Sequence, residues 1–148
     1  MRLSRIRHAG SHAFPTEISV DFDALPELVA IVGPNGTGKS TLLDLIAGAL
    51  YLSFPYRPGP LHRQFVHKGF IELTWSLGEK NTRYRSVVRV DPDASKVEAT
   101  LFDDVTPHLA GPLSRDYLRK IEELLGPIEL FLASCYAVQS GVGTFLKV

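Results

Sequence analysis

Eight consecutive residues, Gly33-Pro34-Asn35-Gly36-Thr37-Gly38-Lys39-Ser40, constrain this chain more than any other stretch. They fit the spacing G-x-x-x-x-G-K-[ST] without exception. A loop that wraps a densely charged anion must turn successive backbone N–H groups inward, through conformations that side chains resist and glycine permits. The surroundings agree with that reading. The continuous apolar run Leu28 to Val32 precedes the loop and predicts a strand buried on both faces at the centre of a sheet. After the loop a helix is expected from Ser40 to Tyr51, carried by Leu42, Leu43, Leu45, Ile46, Ala47 and Leu50, with Pro55 as the stop.

Strand, glycine loop and helix in that order are the setting of a phosphate-binding loop. The first N–H groups of the helix lack intrahelical acceptors and sit at the positive end of its dipole, a ready anion site. The pattern therefore predicts binding of a nucleoside triphosphate, with ATP and Mg²⁺ as the expected cofactors. Gly33, Asn35, Gly36, Thr37, Gly38, Lys39, Ser40 and Thr41 are the candidate nucleotide-binding residues. Lys39 would contact the β- and γ-phosphates as a point charge, and the Ser40 hydroxyl would ligate Mg²⁺. Hydrolysis also needs a carboxylate at the end of an apolar strand. The nearest approach is Thr100-Leu101-Phe102-Asp103-Asp104, with only two bulky apolar residues and in the wrong part of the chain. The catalytic machinery reads as incomplete.

Around this loop the chain alternates between strand and helix patterns. Met1 to Arg7 and Glu17 to Phe22 are strand-like, the second with Ile18, Val20 and Phe22 alternating with polar residues. Residues 54–68 hold Pro55, Pro58, Gly59 and Pro60 with Arg57, His62, Arg63, His67 and Lys68 and no carboxylate. This is an exposed basic loop, either a solvated connector or a patch facing nucleic acid. Residues 70–102 predict an antiparallel meander, in which Trp75 is packing and Arg83, Arg85 and Arg89 form a solvated face. A helix is expected over Ser114–Leu125, capped by Ser114 and ended by Gly126 and Pro127. Phe131 to Gln139 is apolar and β-capable, and Ser140, Gly141 and Gly143 break the chain after it.

Composition bounds the function. The 148 residues suit one domain or one half of a larger enzyme, and 45% hydrophobic content supplies a core. Sixteen Lys and Arg against sixteen Asp and Glu leave no net charge, so contact with nucleic acid would need a local patch. One cysteine, Cys135, cannot form an internal disulfide and is expected to be buried, and there is no N-terminal leader pattern. His62, His67 and His108 have no metal-site spacing. The longest apolar stretch, Leu42 to Phe54, is interrupted by Asp44 and Ser53 and falls short of the ~18 residues of a membrane span. A soluble, cytoplasmic protein without a membrane partner is expected.

From Met1 to Leu50 the order of strand, turn, alternating strand, apolar strand and Gly-Pro-Asn-Gly-Thr-Gly-Lys-Ser-Thr-Leu-Leu resembles the N-terminal half of the SMC/SbcC/RecF-type ATPases. Phe131-Leu132-Ala133-Ser134-Cys135-Tyr136-Ala137-Val138-Gln139-Ser140-Gly141, with Phe145-Leu146 beyond, is similar to the Q-loop of the SbcC branch, double-strand-break repair ATPases that work with a nuclease. The resemblance implies an α/β P-loop ATPase head, N-terminal lobe, with a mixed sheet plus the meander, and a Q-loop over 134–141. Gln139 would then reach Mg²⁺ or the attacking water, joining Lys39 as catalytic and Ser40 as metal-binding. It further implies a coiled coil starting near Thr144 to Val148, and a C-terminal half carrying the Walker B carboxylate and signature motif. Two heads would dimerise on ATP, with DNA, the nucleoid and a nuclease subunit as surroundings. Where relatives carry Asn-Phe and a basic residue, this chain has His8-Ala9-Gly10-Ser11-His12, with Arg5 and Arg7 nearby. Two other readings stay open: a transporter-type or other P-loop ATPase without a DNA role, and a module that binds nucleotide as an assembly signal without turning it over.

Overall fold

Period-2 alternation builds the sheet. In β1 (Arg2–Ser11) Ile6 and His8 are fully buried while Arg5 and Arg7 occupy the other face. β2 (Ile18–Asp21) pairs with one edge of β1, and β3 (Phe65–Leu77) with the other. The computed structural model describes residues 1–135 apart from Glu27, Tyr56 and Pro107. β4 (Thr82–Asp91) and β5 (Lys96–Asp103) complete the meander expected over 70–102, giving the order β2-β1-β3-β4-β5 with every pairing antiparallel. Between β1 and β3 the register shifts at Gly10, where the two backbones nearly touch. A Cβ on Gly69 would lie 2.1 Å from the Ala9 carbonyl oxygen, and Gly10 itself has φ +99°. Only glycine fits that crossing.

One face of the sheet carries the core. α1 (Lys39–Tyr51) lays Leu45 and Leu50 over Ile71, Leu73, Trp75 and Val88, all with no exposed surface. α2 (Ser114–Leu125) adds Tyr117 and Ile121 against β5 and α1, and the Tyr117 hydroxyl donates to the Ala49 carbonyl. Trp75 stacks on Tyr84 at 4.6 Å between ring centroids, and its indole N–H donates to Ser86 Oγ at 3.1 Å. Each such aliphatic side chain, fully buried, contributes roughly 1.5–3 kcal/mol of transfer free energy. α1 ends at Tyr51 with Leu52 in the left-handed region, and α2 ends on Gly126 at φ +81°.

Several expectations change. Residues 28–32 form no strand: they are irregular, with Leu28 90% and Val32 89% exposed. A strand exists only where a neighbour supplies its backbone hydrogen bonds, and none of the described strands pairs with this run. Ser114 does not cap α2; it is the first helical residue, and its hydroxyl donates to the Val97 carbonyl at 3.2 Å, tying the helix to β5. The β-capable run from Phe131 instead begins inside a short helix, α3 (Ile128–Ser134). Pro127 precedes it, Glu129 lies in its first turn, and Phe131 packs on Tyr51 at 5.4 Å. Cys135, just past the last turn of α3, is exposed rather than buried. The basic segment 54–68 is a loop only in part: Leu61–Gln64 form a 3-10 turn and Phe65 to Lys68 open β3.

Candidate functional site

The glycine loop and the start of α1 are where the sequence placed the chemistry. Gly36 (φ +82°) and Gly38 (φ +90°) adopt the left-handed backbone that turns the chain tightly. α1 opens at Lys39 with no side-chain cap and no acidic residue in its first turn. That end of the helix keeps its N–H groups and positive dipole available to an anion. The Lys39 ammonium curls back over the loop, donating to the Gly33 carbonyl at 2.7 Å and the Pro34 carbonyl at 2.6 Å. Thr37 Oγ1 also donates to the Pro34 carbonyl at 2.8 Å. The lysine thus bridges the mouth of a loop whose tip, Asn35 and Gly36, is exposed, with open space around the Gly36 α-carbon.

Ser40 is exposed beside Lys39, as a hydroxyl for Mg²⁺ must be. Thr41 differs. It is buried, and its Oγ1 accepts from Arg57 Nη2 at 2.8 Å, so only its backbone N–H belongs to the anion site. Arg57 also pairs through Nε with Asp44 Oδ2 at 2.8 Å, with the Asp44 side chain 8% exposed. The basic segment is therefore anchored to the first two turns of α1. The sequence showed Arg57 as one positive charge among several and gave no sign of this partner. Phe14, whose ring meets Gly38, was likewise not singled out.

His8, expected only as a departure from a family pattern, is a buried structural residue. Its Nδ1–H donates to the Phe70 carbonyl at 2.7 Å, which leaves Nε2 to accept from the Ser11 hydroxyl at 2.7 Å. Burial pushes its pKa down to about 4. Asp103 accepts the backbone N–H groups of Thr106 and Val105, which hold its carboxyl below the usual range. It closes a turn, and nothing marks it as a hydrolytic carboxylate. Among the described residues no cluster of His, Cys, Asp or Glu could hold a metal ion by itself. Gln139, the remainder of the 134–141 segment beyond Cys135, and the expected coiled-coil start at 144–148 lie outside the described residues.

The donors present fit a triphosphate with its cation: an uncapped helix terminus, a lysine over the loop, and an adjacent exposed serine. A family model described as an AAA domain matches residues 5–123. The chain belongs to that family. This AAA domain is an α/β P-loop ATPase lobe. Over 54 residues it is 52% identical to the zinc import ATP-binding protein ZnuC of a Ruegeria species, covering 36% of this chain and 20% of the relative. Over 122 residues it is 30% identical to a protein of Caldanaerobacter subterraneus named as an ABC transporter ATP-binding protein, covering 75% and 45%. A third match, 54% over 39 residues, is to the thiamine import ATP-binding protein ThiQ of a Chelativorans species, covering 24% and 16%. The chain spans less than half the length of these relatives.

Proposed function

We propose that this chain is the ATP-binding lobe of an ABC-type ATPase, holding Mg²⁺-ATP on Gly33–Thr41 and completed for turnover by a lobe outside these residues. One observation carries the second half of that reading. The apolar run Leu28 to Val32 enters the phosphate loop uncovered, beside a groove of about 580 Å³ lined by Leu3, Phe22, Leu25, Pro26, Leu28 and Val29 with Arg2 at its side. Apolar surface of this kind, adjoining a reactive loop, marks an interface. A completing lobe would cover it and supply a hydrolytic carboxylate, while Lys39 and the loop amides would hold phosphate charge and Ser40, with Gln139, would hold Mg²⁺. ATP binding between two such heads would couple nucleotide to motion.

The work done by that motion is read best as transport-type. The relatives named above are import or ABC transporter proteins. On the arginine face expected to be solvated, Arg85 meets Glu72 at 3.8 Å and Arg83 meets Asp23 at 3.8 Å, and nearby Arg7 meets Glu17 at 2.7 Å and Lys68 meets Asp91 at 2.9 Å. Those pairs offset part of the positive charge that a phosphate backbone would need. No helix among the described residues is long and apolar enough to cross a membrane, so a membrane-embedded component would be a separate segment or subunit. The second reading, an SMC/SbcC-like ATPase acting at DNA ends with a nuclease and a coiled coil, keeps the support of the Met1 to Leu50 resemblance. Turnover by the full-length protein, with and without linear duplex DNA at low salt, separates them. The transport-type reading predicts no stimulation; stimulation that collapses as salt rises would replace it with the DNA reading.

A further inference from the structure

Gly38 has two reasons to be glycine, and the second involves a residue far away in sequence. Its φ of +90° disfavours any side chain, and a Cβ there would also lie 2.6 Å from Phe14 Cζ and 3.1 Å from Cε1. The end of the Phe14 ring thus sits directly on the α-carbon of the last loop residue before α1. The ring's backbone is clamped in turn. Phe14 N–H donates to Ser11 Oγ at 3.2 Å, and its carbonyl accepts from Gly10 N–H at 3.0 Å. Ser11 is held by His8, and His8 by the Phe70 carbonyl of β3. The His8 ring also meets the rings of Phe14 and Phe65 edge-on, at 6.3 and 5.4 Å. A continuous line of contacts runs from the middle of the sheet to the phosphate loop.

We propose that Phe14 is a positioning residue for phosphate binding: its ring, clamped to the sheet through Ser11 and His8, bears on Gly38 and fixes how the loop and the first turn of α1 face the anion. This rests on the nucleotide-binding reading of the loop. Residues 33–37 are exposed and are held chiefly by their own bonds, from Lys39 and Thr37. A loop of that kind loses conformational freedom when it closes on a ligand, and a rigid wall behind Gly38 reduces that loss.

The test measures Mg²⁺-dependent binding of ATP and, separately, of inorganic tripolyphosphate to the full-length protein. The variants are Lys39→Ala, Phe14→Ala, Phe14→Leu, Gly38→Ala and the Phe14→Ala/Gly38→Ala pair, each checked for folding by circular dichroism. Phe14→Ala is expected to weaken both ligands by a similar factor, roughly tenfold, with Phe14→Leu recovering most of it. Gly38→Ala should bind worse than either Phe14 variant, and adding Phe14→Ala should restore part of the loss, because the ring that the new methyl strikes is gone. A merely structural role for Phe14 predicts instead that Phe14→Ala lowers the melting midpoint and leaves tripolyphosphate affinity unchanged. Unchanged tripolyphosphate affinity in Phe14→Ala, a loss confined to ATP, or a pair no better than Gly38→Ala alone would each overturn the proposal. If Phe14→Ala does not fold, Phe14→Leu with Gly38→Ala carries the same comparison. Wild-type binding that survives Lys39→Ala would instead sink the nucleotide reading itself.

Discussion

His8 and Arg57 do work that no motif announces. His8 is neutral in the fold, with its pKa lowered to about 4 by burial, against about 6.5 in an unfolded chain. The unfolded state therefore binds the extra proton first, and stability is lost as pH falls from about 6.5 toward 4, on the order of 3 kcal/mol over that window. Urea unfolding at pH 7, 5.5 and 4.5 reads this directly, and His8→Gln should flatten the slope. Asp91, Glu98 and Glu123, each held below its usual value first by a lysine hydrogen bond, add their losses only at the acid end. Arg57→Ala removes the guanidinium from a mostly buried carboxylate and from Thr41. A destabilisation of roughly 1–3 kcal/mol is expected in thermal or urea melts, with Arg57→Lys intermediate because lysine cannot reach both partners in one plane. The glycine loop with Lys39 and Ser40 stood out as a candidate because its spacing is local. Phe14 and Arg57 were not, because their partners lie 24 and 13 or more residues away and only the fold brings them together.

At the scale of elements, periodicity served where the element buries its own face. α1 and α2 follow the helical spacing of their apolar residues, and the meander follows its alternation. It failed where identity depends on a neighbour. Leu28 to Val32 has strand composition but no ladder, and Ile128, Phe131 and Leu132 share a helical face that a β-capable composition concealed. The exposed run gives a prediction of its own. Leu28→Ser with Val32→Ser should change the stability of residues 1–148 by no more than about 0.5 kcal/mol, since neither side chain is buried there. With the proposed completing lobe present the same pair should lower the melting midpoint and the ATPase rate, because that lobe would pack on the run. Equal effects in both forms would mean the run already has its partner within the chain.

For the whole molecule, the sheet separates two tasks. One face carries the core and, through α1, the phosphate loop; the other carries paired charges of both signs. Those pairs are exposed and individually weak, so their role is solubility and the balance of charge more than stability. The phosphate loop was readable from its own spacing and the helix after it, while the apolar run before it forms no strand, and no hydrolytic carboxylate stood out in the sequence. The structure adds an uncovered apolar run at the same place. The most direct measurement is therefore a paired titration of Mg²⁺-ATP binding and ATP turnover, on residues 1–148 alone and with the proposed completing lobe supplied, with Lys39→Ala as control. Lys39-dependent binding is expected in both, and turnover only with the completing lobe present. Sustained hydrolysis by residues 1–148 alone would contradict this, because the catalytic carboxylate would then already be present.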